Sequence, residues 1–174
     1  QMVNGFDLAG TCLGWMKKNK IITGKGCVPG DVIIGLRSSG IHSNGLSLAR
    51  KVLDVNEIEY DEEFQEFGRS IGLELLEPTK IYVKEVLKVI KQCQIHGIAH
   101  ITGSGLRNLV RLQPDVEFRI ENPFEPQPIF KVLEELGNIA DKELYQTFNM
   151  GMGMAIVMPR KGAKKALAIL NKHC

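Results

Sequence analysis

Two short stretches of this chain carry residue types that could do chemistry. The first is Thr102-Gly103-Ser104-Gly105, set between an apolar run, Ile98-Ala99-His100-Ile101, and residues Leu106, Leu109 and Val110 at i, i+3, i+4. A strand, a small-residue turn and a helix start together form an anion site. The first N–H groups of a helix lack internal partners, and the helix dipole adds partial positive charge there. Gly103 and Gly105 would let a ligand approach the backbone, and Ser104 would act as N-cap. The bland alternative is an ordinary strand–turn–helix connection with a capping serine, and local pattern alone favours it.

The second stretch is Arg37–Gly45, RSSGIHSNG. Ser38, Ser39, Ser43 and Asn44 offer hydroxyls and an amide, and His42 offers an imidazole able to exchange protons near neutrality. Loops held by rigid elements commonly carry function. A lone histidine is more often hydrogen-bonded within its loop than catalytic, because acid–base work needs a geometry that sequence does not display.

The elements that must hold these loops follow from periodicity. Asp31–Leu36, DVIIGL, reads as a buried strand leading into the serine-rich loop. A helix over Asn44–Leu53 leads out of it on the face Leu46, Ala49, Leu53. Asp61–Leu75 reads as a helix preceded by an acidic loop. A further helix after Pro78 or Thr79 has the face Val83, Val86, Leu87, Ile90. Val116–Ile120 alternates as a half-exposed strand. Ile129, Val132, Leu133 and Leu136 mark a helix stopped by Gly137, and Asp141–Thr147 a shorter one.

Phe148–Met158, FNMGMGMAIVM, alternates methionine or isoleucine with glycine, alanine or valine. A period of two means a strand with one bulky and one nearly bare face. A bare face admits a ligand or close packing, and a methionine stripe is usually core. A last helix covers Lys161–Lys172. Asp7–Met16 reads as a glycine-containing strand at a sheet edge or domain junction. Strands and helices mix without strict alternation, so the expected architecture is an α/β (α+β) sandwich, a mixed β-sheet covered by helices.

Composition narrows the class. With 174 residues, 44% hydrophobic and 24% charged, the chain suits one domain with a sizeable core. A net charge of +2 is too small for nucleic acid or an anionic membrane to be the main partner. The four cysteines form no Cys-x-x-Cys pair and no zinc spacing, which suits reduced thiols and a cytoplasmic setting. No apolar run reaches transmembrane length. There is no P-loop, no Gly-x-Ser-x-Gly elbow and no His-Glu-x-x-His motif, and no residue set is assigned to a metal. The chain begins at Gln1, just before a structured-looking segment, so a piece of a longer protein is expected.

PGDVIIGLRSSGIHSNGLSLARKVL, EPTKIYVKEVL, GIAHITGSGLRNLVRL and FNMGMGMAIV, in that order, resemble the C-terminal domain of the aminoimidazole ribonucleotide synthetase (phosphoribosylformylglycinamidine cyclo-ligase) family. FDLAG near the start resembles the junction leading out of that family's N-terminal domain. The resemblance implies a division into residues 1–16, a junction strand from an absent N-terminal ATP-binding domain, and 17–174, a C-terminal substrate-binding domain. It also implies the reaction. ATP phosphorylates the formyl amide oxygen of formylglycinamidine ribonucleotide, the amidine nitrogen attacks, and phosphate leaves as the imidazole ring closes, a step in purine biosynthesis. ATP and Mg²⁺ would be cofactors of the full-length enzyme, a homodimer in this family, and the chain's own N-terminal domain would be its partner.

The resemblance places the substrate's ribose phosphate on Thr102, Gly103, Ser104 and Gly105. Ser38, Ser39, His42, Ser43 and Asn44 would line the same cleft, with His42 as candidate acid/base or phosphate contact and Asn149 and Gly151 as weaker candidates at its floor. The family's glycine triplet carries Ser104 at its middle position here. Formylglycinamidine ribonucleotide synthetase, selenophosphate synthetase, the hydrogenase-maturation dehydratase and thiamine-phosphate kinase share the superfamily fold and are the nearest competitors. A non-catalytic phosphoribosyl-binding module and a structural partner-binding domain are the readings from other classes.

Overall fold

A computed structural model describes residues 9–172. Its centre is a three-stranded sheet. Strand β1 (Asp31–Arg37) and, later in the chain, β4 (Gly97–His100) both pair antiparallel with the middle strand β5 (Met152–Pro159). β1 and β4 therefore run the same way. Their C-terminal ends lie together beside the start of β5, so the chain segments after residue 37, after residue 100 and before residue 152 meet at one end of the sheet.

The two faces of β5 are buried by different means. Met154, Ile156 and Met158 join Ile34 and Leu36 beneath helices α3 (Val83–Gln92) and α6 (Arg160–Leu170), where Val89, Ala166 and Leu170 complete the cluster. Ala155 and Val157 face irregular chain instead, packed against Cys27, Leu109, Phe118 and Phe124. Met152 departs from the methionine stripe and joins this second cluster, because the β1–β5 register shifts between Leu36 and Arg37. A Cβ on Gly153 would collide with the Tyr82 hydroxyl and stand 2.8 Å from His42 Cε1.

A third cluster is helical. It gathers α1 (Leu46–Val55), α2 (Ile71–Leu75), α4 (Pro128–Gly137) and α5 (Asp141–Thr147) around Leu53, Ile71, Phe130, Leu133 and Phe148. The i, i+3, i+4 residues Ala49, Val52 and Leu53 are the buried face of α1. Pro128 opens α4, where its missing N–H costs nothing, and Asn138 in the left-handed region ends it. The α+β sandwich of helices over a sheet is thus present, and among the described residues six α-helices cover it.

Several elements differ from the sequence reading. Ala9–Met16 holds no strand, and Leu13 and Trp15 stand fully exposed; Asp7 and Leu8 lie outside the described residues. The expected helix over Asp61–Leu75 is a hairpin, β2 (Glu63–Phe64) with β3 (Arg69–Ser70), leading into the five-residue α2. Gly68 at φ 64° makes the turn, Phe64 stacks on Phe67, and Arg69 spends its guanidinium on Glu74 and Glu77 at 2.6 and 2.8 Å. Val116–Ile120 is not a strand. Its alternation instead points Val116, Phe118 and Ile120 under the sheet from irregular backbone.

The helix expected from Ser104 is a single 3₁₀ turn, Gly105–Asn108. Ser104 does not cap it. Its φ is 88° and its side chain makes no cap bond. Along α3 the expected apolar face is only partly covered, since Val83 and Leu87 remain about half exposed while Val89 is fully buried.

Candidate functional site

The loop after β1, the loop after β4 and the segment before β5 converge as the topology requires. A Cβ built on Gly103 would lie 3.4 Å from Asn44 Oδ1, and Gly45 packs against the Phe148 ring. The two stretches singled out in the sequence, sixty residues apart, are therefore neighbours.

Within this junction the polar groups divide into committed and free. Ser38, Asn149 and Gly151 are committed. The Ser38 hydroxyl donates to Asn149 Oδ1 at 2.8 Å and accepts from Gln127 Nε2 at 3.1 Å. The Asn149 amide donates to the carbonyls of Gly40 and Ile41, and its Oδ1 also accepts the Gly151 N–H at 2.9 Å. Ser38 and Asn149 are both buried, so this is a clasp closing β1 onto β5. Their hydrogen-bonding capacity is used internally.

His42 is committed through one of its two ring nitrogens. It is 4% exposed, with φ 61°. Its Nε2 accepts the backbone N–H of Ser39 at 3.1 Å and of Lys80 at 3.4 Å, and lies 3.1 Å from the Ser39 hydroxyl. A ring nitrogen accepting from backbone N–H groups is unprotonated, so the proton resides on Nδ1, which is buried and has no partner among the described residues. Burial, then the nearby charges of His100 and Lys80, hold the imidazole pKa below its ordinary value. This geometry makes His42 an anchor of the loop. Ser39 donates its hydroxyl to Pro78 O at 2.7 Å, and Ser43 meets Thr79 Oγ1 at 3.0 Å, which ties the loop to the approach of α3.

The loop after β4 is closed by a residue that sequence reasoning passed over. Asn108 is buried, and its amide donates to the carbonyls of Gly105 at 2.7 Å, Thr102 at 3.3 Å and Gly103 at 3.4 Å. The Gly105 N–H is used too, donating to Thr102 O at 2.9 Å. Gly105 sits at φ 52°, pressed against the carbonyls of Tyr145 and Phe148, so it is a packing glycine and its own N–H is closed to an anion. The signal was available: an asparagine three to six residues beyond small turn residues can bridge their carbonyls.

What remains free lies at one cavity of about 570 Å³, walled by Gly45, Gly103, Ser104 and Arg107 on one side and by α5 on the other. Among the described residues the N–H groups of Gly103 and Ser104 donate to no carbonyl, and the side chain of Asn44 beside them has no partner. The Ser104 hydroxyl accepts from Arg111 at 3.1 Å, which leaves its proton available. From α5 come Lys142, Glu143, Gln146 and Thr147, none of which the sequence reading named for the site. They arrive because α5 runs directly into the Phe148-Asn149 clasp. The arrangement suits an anionic ligand with hydroxyls, since the residues that line the cavity combine unused N–H groups with cations, an amide and hydroxyls.

Among the described residues no three His, Cys, Asp or Glu side chains gather closely enough to hold a metal ion, and no helix is long and apolar enough to cross a membrane. Cys12, Cys27 and Cys93 are free thiols.

Comparison with known proteins bears directly on this geometry. Residues 28–174 match the family described as AIR synthase related protein, C-terminal domain. The chain is 51% identical over 173 residues to a protein of Methanococcus maripaludis named phosphoribosylformylglycinamidine cyclo-ligase, an alignment covering 99% of this chain and 49% of that one. Proteins of the same name from Methanopyrus kandleri and Methanocaldococcus jannaschii are 51% and 50% identical, over 97% and 99% of this chain and 48% and 50% of theirs. The chain spans about half the length of the curated relatives it matches.

Proposed function

The chain belongs to the AIR synthase related protein C-terminal domain family, and from that premise we propose that it is the substrate-binding half of a phosphoribosylformylglycinamidine cyclo-ligase. In the full-length enzyme it would hold formylglycinamidine ribonucleotide while ATP phosphorylates the formyl amide oxygen. Ring closure would follow when the amidine nitrogen attacks and phosphate leaves. The observation that carries this reading is the meeting of Asn44 with Gly103 beside a cavity where, among the described residues, the N–H groups of Gly103 and Ser104 donate to no carbonyl. Alignment at about half identity to cyclo-ligases across nearly the whole chain supports reading that cavity as the substrate site.

In this reading the ribose phosphate sits on the N–H groups of Gly103 and Ser104, with the Ser104 hydroxyl and the Asn44 amide as further contacts. Thr102 and Gly105 shape the turn rather than touch the ligand. His42 fixes the loop that carries Asn44. Among the described residues the cavity offers one carboxylate, Glu143, and no cluster of three metal-ligating side chains, so ATP and Mg²⁺ are not assigned to this chain's own residues. Those groups would come with the other half of the full-length protein, which would be cytoplasmic and dimeric, with its own N-terminal domain completing the cleft.

The test is binding and turnover measured separately. The 174-residue chain is expected to bind formylglycinamidine ribonucleotide, with amide NMR shifts at Gly103 and Ser104, and to leave ATP unhydrolysed. The full-length enzyme is expected to close the ring. Ring closure by the chain alone, or ribonucleotide binding that leaves those amides unmoved, would overturn the assignment.

A further inference from the structure

The turn at Gly103 poses an electrostatic problem. A phosphate monoester carries nearly two negative charges near neutral pH. A helix terminus would offset part of that, but the element here is a four-residue 3₁₀ turn with no helix behind it. Two backbone N–H groups and an amide can orient phosphate without neutralising it. The compensating charge must come from side chains.

Two cations stand at the cavity, on opposite walls. Arg107 projects from the 3₁₀ turn and Lys142 from the first turn of α5. Neither has a hydrogen bond or ion pair among the described residues, whereas Arg69 and Arg111 are tied to protein partners. Glu143 also reaches the cavity, so the lining carries one net positive charge before a ligand enters. Gln146 and Thr147, on the same wall as Lys142, add uncharged groups suited to ribose hydroxyls.

We infer that Arg107 and Lys142 are the phosphate-binding cations of this cavity, closing from two walls on a ribose 5-phosphate whose phosphate rests on Gly103 and Ser104. The inference rests on the substrate-binding reading above and deepens it, since it says which side chains make the site select a phosphorylated ribose over ribose itself. A guanidinium can take two phosphate oxygens at once, and the lysine ammonium adds a point charge from the far side. Both side chains are exposed, so altering them leaves the core untouched.

The experiment uses the 174-residue chain with ribose 5-phosphate and, separately, ribose as probes. Affinity is read by calorimetry and position by amide NMR. Arg107→Gln and Lys142→Gln are each expected to weaken ribose 5-phosphate about tenfold, as loss of a charged hydrogen-bond partner does. The weak affinity for ribose and the melting temperature should stay as they were, and Arg107→Lys should recover part of the loss. If both glutamine variants bind as the parent does while the Gly103 and Ser104 amides still shift, the two cations are idle, which overturns the inference but leaves the loop as the phosphate site. If the variants lose binding but those amides never shift, the cations are upheld and the loop placement fails. No binding of ribose 5-phosphate by the parent chain overturns both.

Discussion

The hydroxyl of Ser38 donates to Oδ1 of Asn149 at 2.8 Å, joining positions 111 residues apart in a buried site. Through this bond and those to Gly40, Ile41 and Gly151, one asparagine side chain holds the end of β1 to the start of β5. Asn149→Ala would strand two carbonyls and an N–H and leave the Ser38 hydroxyl with Gln127 alone. The expected cost is about 3 kcal/mol, read as a shift in the denaturant midpoint. A variant as stable as the parent would show that water replaces the clasp.

His42 makes folding sensitive to acid. Its neutral form is preferred in the fold, so its folded pKa lies below the unfolded value of about 6.5. Stability from this group is complete above that value and is lost as the pH falls below it. Protonation would turn Nε2 into a donor facing the N–H groups of Ser39 and Lys80. The melting temperature should therefore fall between about pH 7 and pH 5. It should fall less steeply in His42→Asn, a residue that tolerates the left-handed backbone. Parallel pH profiles for parent and variant would exclude this role.

The glycines of the turn after β4 should respond in opposite ways. Gly105→Ala places a methyl group against the Tyr145 and Phe148 carbonyls at a positive φ, at an expected cost of about 3 kcal/mol. A methyl on Gly103 meets only Asn44 Oδ1. Gly103→Ala should change stability by less than about 0.5 kcal/mol and still weaken ribonucleotide binding by filling the approach to its N–H. Thermal melts beside calorimetry separate the two effects.

Asn44 is the serine-rich loop's free side chain. Asn44→Ala should leave the melting temperature within error and lower ribonucleotide affinity about fivefold, the loss of one hydrogen bond. A stable variant with undiminished affinity would remove Asn44 from the site.

Local pattern in the sequence determined much of this protein. The runs Asp31–Leu36 and Ile98–Ile101 read as strands because they are short apolar-rich runs bounded by glycine turns, and the faces of α1 and α4 read as helices because their period is 3.6. The two small-residue loops were legible as the places where chemistry could occur, and four ordered motifs were enough to name the family. What only the tertiary structure decided is which polar groups are spent. Ser38, His42, Ser43 and Asn44 look alike in a string of letters. Asn149 and Gln127, more than eighty residues downstream, consume the first. Backbone donors at Ser39 and Lys80 consume the second, Thr79 meets the third, and the fourth is left free. Arg107 and Lys142 could not be read as a pair, since nothing local says that a turn after β4 and the start of α5 face one cavity. Hydrogen-bond capacity is finite and is allotted by contacts between distant segments, so a sequence shows where polar groups are but not which remain for a ligand.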